Sequence, residues 1–191
     1  MKPYKIGLDR IIFFSDAVFA IAITLLSLDL RLPVNAGQDG ISNDLIHLWP
    51  KYQSYVTSFA VIGLYWISHH HYFCFIRRYD YIFVTINIGL LMCIAFLPFA
   101  TSVLENYGTY GSAVGFYALC MALTGLMKTL LWYYASNNFR LIHRRLSMQR
   151  VRRLTRRAMI PPVVFSSSIA IATVNPDLAK LSWGAIALVF L

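Results

Sequence analysis

The chain has 191 residues, of which 58% are hydrophobic and only 13% charged. That composition, with long apolar runs following one another, excludes an ordinary soluble domain and points to a polytopic helical membrane protein. A formal net charge of +9 does not indicate nucleic acid here: eight of the seventeen Lys and Arg residues fall in one stretch, Arg140–Arg157, as in a cytoplasmic loop obeying the positive-inside rule.

The N-terminal tail carries Lys2 and Lys5, reads as cytoplasmic and shows no cleavable signal pattern. Span one, Leu8–Leu32, is long enough at about 1.5 Å per residue to cross a hydrocarbon core of about 30 Å. Asp16 lies inside it at a cost of about 2.5–3.5 kcal/mol on insertion scales, so it must face protein or water. Phe14, Ala17, Ile21, Thr24, Leu25 and Leu28 recur at helical spacing along one stripe of this span. The polar stretch Pro33–Asp44 makes an outer turn. Span two, Leu45–Ile76, is longer than a bilayer requires, and Trp49 and Tyr52 fit an interfacial belt.

Arg77, Arg78 and Asp80 form a short inner turn before span three, Tyr81–Leu104, in which Pro98 frees a carbonyl and predicts a kink. Gly108-Thr109-Tyr110-Gly111 lacks the order of a carbonyl filter and reads as a turn into span four, Ser112–Ala135, where Lys128 is expected to snorkel. A basic cytoplasmic linker, Ser136–Arg157, leads to span five, Ala158–Val174. Its Arg150, Arg153 and Arg156 resemble voltage-sensor spacing, but the intervening polar residues favour a solvated segment. Its basic side chains would contribute about 1 kcal/mol each at anionic lipid heads. Span six, Leu178–Leu191, is short for a crossing. Six spans place both termini inside, with thirteen Lys and Arg on the inner segments and only Arg31, Lys51 and Lys180 on the outer.

Arg10 and Asp16 are six residues apart and lie on roughly opposite sides of one helix, so they cannot pair with each other and each needs a partner from another helix. Span two offers Trp66, His69, His70, Phe73 and Cys74 on or near one face. Two readings compete: a structural hydrogen-bond network locking helices together, which we prefer, and a proton relay. His69-His70-His71 diverge by about 100° per residue and cannot converge on one ion, so no metal site is expected. Cys74, Cys93 and Cys120 read as small hydrophobes. Ser15, Asp16 and His70 do not form a hydrolase site, because adjacent helical residues diverge and no oxyanion-hole loop is visible. No enzyme activity is expected.

Arg10-x-x-x-Phe14-Ser15-Asp16, followed by Ala20-x-x-x-Thr24-Leu25-Leu26, resembles the first-helix motif of the endosomal and lysosomal potassium channels of the transmembrane protein 175 family. Trp66-x-x-His69-His70 resembles that family's second helix, and Leu97-Pro98-Phe99 and Val174-Asn175-Pro176 extend the likeness along nearly the whole chain. The resemblance implies an all-α, six-helix unit that assembles as a homotetramer in a prokaryotic cell membrane, with first helices lining a central pore. It implies a constriction at Ile21, further apolar layers at Leu25 and Leu28, and a hydroxyl concerned with selectivity at Thr24. It places Arg10, Ser15, Asp16, Trp66 and one of His69 or His70 in a structural network. Ala20 departs from the pattern, since some members have serine there. The implied function is a potassium-permeable cation channel with no carbonyl filter, no cofactor beyond the permeant ion, and lipids and its own copies as partners. The alternative is a proton-conducting or proton-coupled transporter using Asp16 and the His69/His70 region.

Overall fold

The computed structural model describes residues 7–32, 41–143, 146–184 and 186, and among these the chain is helical, with no strand. The helices are α1 (Leu8–Leu25), α2 (Ile41–His47), α3 (Trp49–Phe73), α4 (Tyr81–Tyr107), α5 (Gly111–Ser136), α6 (Met148–Ala172) and α7 (Pro176–Ser182). Helix α1 packs on α3 and α4, α4 on α5, α5 on α6, and α6 on α7. By length and composition, three described segments could cross a membrane: Leu8–Leu28, Tyr81–Tyr107 and Gly111–Phe139. Helices α3 and α6 have 25 residues each, about the length a crossing needs, but their histidines and arginines make them more polar.

Several expected boundaries move. The α-helical part of span one stops at Leu25 and tightens into a 3-10 turn over Leu26–Asp29. Span two is divided, because Pro50 sits in the first turn of α3 and a separate short helix, α2, precedes it. Part of the expected outer turn is therefore helical, while residues 33–40 lie outside the described region. Helix α4 continues through Pro98 to Tyr107.

The largest change concerns the basic linker, which is not a solvated segment down to Arg157. Helix α6 begins at Met148, where the Ser147 side chain accepts from the Arg150 amide. Val151, Leu154, Thr155 and Ala158 supply the inward face that the arginines obscured. Trp132 Nε1 donates to Thr155 Oγ1 at 3.0 Å across that face. Helix α7 starts at Pro176, where Asn175 Oδ1 accepts from the amides of Asp177 and Leu178 at 2.9 and 3.2 Å. Residues 187–191 of the expected sixth span lie outside the described region.

Prolines and glycines explain the close fit of α5 and α6. Pro162 has no N–H to donate to the Ala158 carbonyl one turn back. Thr129 of α5 donates its hydroxyl to that oxygen at 2.8 Å, and the same hydroxyl lies 2.8 Å from the Gly125 carbonyl of its own helix. Approach this close requires a glycine: a Cβ on Gly125 would lie 2.9 Å from Pro162 Cδ and 3.1 Å from the Tyr65 hydroxyl. Replacing Thr129 by Val should leave a buried carbonyl short of its donor and destabilise the protein by about 1–2 kcal/mol. Thermal unfolding of the purified protein measures it, and an unchanged midpoint would show that the bond is dispensable.

The two basic turns meet at one end of the bundle. Arg77 donates its amide to Leu141 O at 2.9 Å, His143 donates to Phe75 O at 3.2 Å, and Ile76 and Ile142 form an isolated antiparallel bridge. Asp80 fastens this end. Its Oδ1 caps α4 by accepting from the Phe83 amide at 2.9 Å. Its Oδ2 accepts from the Tyr134 hydroxyl at 2.7 Å and pairs with Arg140 at 3.3 Å. Burial alone would raise this carboxyl, but the Phe83 amide, the Tyr134 hydroxyl and the Arg140 guanidinium together hold it below the usual aspartate range. At the opposite end, the α4–α5 turn abuts the end of α6, with Gly111 against the Ala172 carbonyl.

Candidate functional site

Helix α1 has two unlike faces. Ile11, Ser15, Phe19, Ala22 and Leu26 recur every three or four residues and are buried. The opposite face, Phe14, Ala17, Ile21, Thr24, Leu25 and Leu28, is exposed along its whole length, with Ile21 at 59% and Leu28 at 56%. Phe13 and Ala20 widen this face. The Thr24 hydroxyl donates back to the Ile21 carbonyl at 2.9 Å, so its donor is used within the helix while its oxygen stays on the exposed face.

The buried face is held by a polar chain that crosses three helices. Ser15 Oγ donates to Ile11 O at 2.8 Å and accepts from Asn87 Nδ2 at 3.0 Å. Asn87 Oδ1 lies 2.9 Å from His69 Nε2. With the amide nitrogen already donating to Ser15, its oxygen must accept, so His69 carries the proton on Nε2. Ser15, Asn87 and His69 are each at most 2% exposed. The His69 ring is fixed by Phe73 at 4.3 Å and Phe19 at 5.5 Å between centroids.

Asp16 belongs to a second, more exposed group. Trp66 Nε1 donates to Asp16 Oδ1 at 2.8 Å, and the Trp66 and His70 rings lie 5.8 Å apart. His70 and Arg10 are exposed, and Asp16 is half-buried. The structure thus joins Ser15 to His69 and Asp16 to Trp66 as two separate groups.

Two residues were missed or misplaced by sequence reasoning. Asn87, the centre of the buried chain, is a lone amide between Ile86 and Ile88 in a very apolar span, and that isolation was the available signal. Lys128 does not snorkel: it is 1% exposed, and its ammonium donates to Ser68 Oγ at 3.1 Å and sits 4.7 Å over the Tyr65 ring. Among the described residues, no group of three or more His, Cys, Asp or Glu side chains could hold a metal ion.

Residues 10–98 match the model of the family described as endosomal/lysosomal potassium channel TMEM175. A protein of Streptomyces collinus, named a potassium channel, is 32% identical over 185 residues, covering 95% of this chain and 90% of the relative. The chain belongs to the TMEM175 family. Its fold agrees with a solved TMEM175 homologue from Chamaesiphon minutus, described as a lysosomal potassium-selective channel homologue. The TM-score is 0.83 at 30% identity, over 96% of this chain and 94% of that one. Mouse TMEM175, named an endosomal/lysosomal proton channel, is 33% identical over 114 residues, covering 52% of this chain and 23% of the mouse protein. The family and these relatives are ion channels and not enzymes.

Proposed function

We propose that this TMEM175 member is a potassium-permeable cation channel, a homotetramer in which four copies of α1 surround the pore. The observation that carries this reading is the exposed face of α1. The helix turns Ser15 and Phe19 into its own subunit and leaves Ile21, Thr24, Leu25 and Leu28 uncovered in a single chain. One copy of such a face cannot enclose an ion path, whereas rotational symmetry repeats it around an axis. Ile21 would then form the narrowest apolar ring and Leu25 and Leu28 further rings, with Thr24 oxygens between them. Such a pore selects by width and partial dehydration, since no ring of backbone carbonyls replaces the hydration shell. Six spans with both termini cytoplasmic, in a prokaryotic cell membrane, fit the distribution of basic residues.

The proton-conducting alternative is favoured by the name of the mouse relative and disfavoured by the polar chain of this one. A neutral amide at Asn87 does not readily pass a proton between Ser15 and His69, and the chain ends on the Ile11 carbonyl. Purified protein in potassium-loaded liposomes should release potassium when charge is balanced by an ionophore, without an imposed pH gradient. Release that requires a pH gradient would favour the proton-coupled alternative, and a monomeric mass in nanodiscs would remove the shared pore.

A further inference from the structure

We infer that a cavity between α3, α5 and α6 binds a phosphate group, as a phosphate ion or as the headgroup of an anionic lipid. The cavity measures about 160 Å³ and is lined by Ser68, His71 and Tyr72 of α3, Lys128 of α5, and Leu154 and Arg157 of α6, with Ile67 at its rim. Among the described residues lining it there is no carboxylate. The Lys128 ammonium is fixed in its wall, donating to Ser68 Oγ at 3.1 Å. Arg157 and the Tyr72 hydroxyl face the same space as Ser68. An arginine, a lysine, an imidazole and two hydroxyls from three helices therefore line one small space.

The donor set favours phosphate. An arginine fork pairs with two oxygens of one group, a lysine contributes a point charge to a third, and hydroxyls complete the shell. The volume exceeds that of a halide. Ile67, 53% exposed at the rim, would meet the acyl chain of a lipid whose headgroup occupies the cavity. This site does not depend on the pore reading, since none of its residues is on α1.

The test is thermal unfolding of the full chain in neutral detergent at fixed ionic strength. The additives are dioctanoyl phosphatidylglycerol, dioctanoylglycerol (the same tails without phosphate) and inorganic phosphate. Phosphatidylglycerol should raise the midpoint of the unmodified protein and of R153Q, an exposed arginine of α6 outside the cavity. In R157Q the half-saturating concentration should rise about tenfold, the equivalent of one lost charge-assisted hydrogen bond. If R157Q does not purify, H71A gives the same comparison at an exposed position. An Arg157-dependent response to inorganic phosphate would identify a free ion as the ligand, and a response to the lipid alone would identify a headgroup. Equal protection by dioctanoylglycerol, equal responses of R157Q and R153Q, or no response to either phosphate source would overturn the site.

Discussion

Replacing Ile21 by Asn is expected to raise single-channel current and to weaken the preference for potassium over sodium. Four branched apolar side chains at one level of a pore make a ring that water wets poorly, and an ion must give up hydration to pass it. Asn is smaller and brings a donor and an acceptor, so the ring becomes both wider and easier to wet. A barrier lowered by about 1.4 kcal/mol corresponds to a tenfold faster passage, which sets the scale. Ile23 is the matched control: it is half-buried and packs against the core of its own subunit. Its replacement by Asn should lower yield or stability without changing the reversal potential. Currents and reversal potentials in asymmetric potassium and sodium decide the matter. If the Ile23 variant alters permeation and the Ile21 variant does not, the pore faces the other side of α1.

A clear loss of stability is expected from Asn87→Leu. Leucine keeps the branching and the number of side-chain heavy atoms, though it is larger, and removes the acceptor for His69 Nε2 and the donor to Ser15 Oγ in one step. Ser15 retains its bond to Ile11 O, so most of the penalty falls on the buried imidazole N–H. Leaving such a donor unpaired costs about 1–3 kcal/mol, and hydrogen bonds between membrane helices fall towards the lower part of that range. Unfolding of the purified variant should begin at lower temperature, while potassium flux through the folded fraction stays near normal. Lost proton flux with unchanged stability would instead mean that the chain carries protons.

The membrane class and the largely apolar stripe of α1 were legible because apolar length and helical spacing are local properties of sequence. The alternation of buried and exposed residues from Ile11 to Leu28 follows from the same spacing. Asn87 was illegible as a partner of Ser15 because the bond joins residues 72 positions apart, and nothing in either local pattern names the other. The start of α6 was misread for a different reason. Arginines are counted as solvated, yet long basic side chains can flank an apolar stripe, and Val151, Leu154 and Ala158 were hidden among them. Lys128 was read as reaching for water because that is the usual course for a lysine in a membrane helix. The wall formed by Ser68 and Tyr65 depends on how α3 and α5 lean together, which the sequence does not state.

The contact between Thr129 and the Ala158 carbonyl makes two distant positions interchangeable in what they tolerate. That oxygen has two chemical routes to a donor: an amide at position 162 within α6, or a hydroxyl reaching over from α5. Proline at 162 closes the first route and makes the second necessary. A chain with alanine at 162 would regain the amide, and valine at 129 would then do little harm. Substitution at 129 alone would therefore assign to α5 a requirement that originates in α6. The effect of either residue has meaning only when the identity of the other is given.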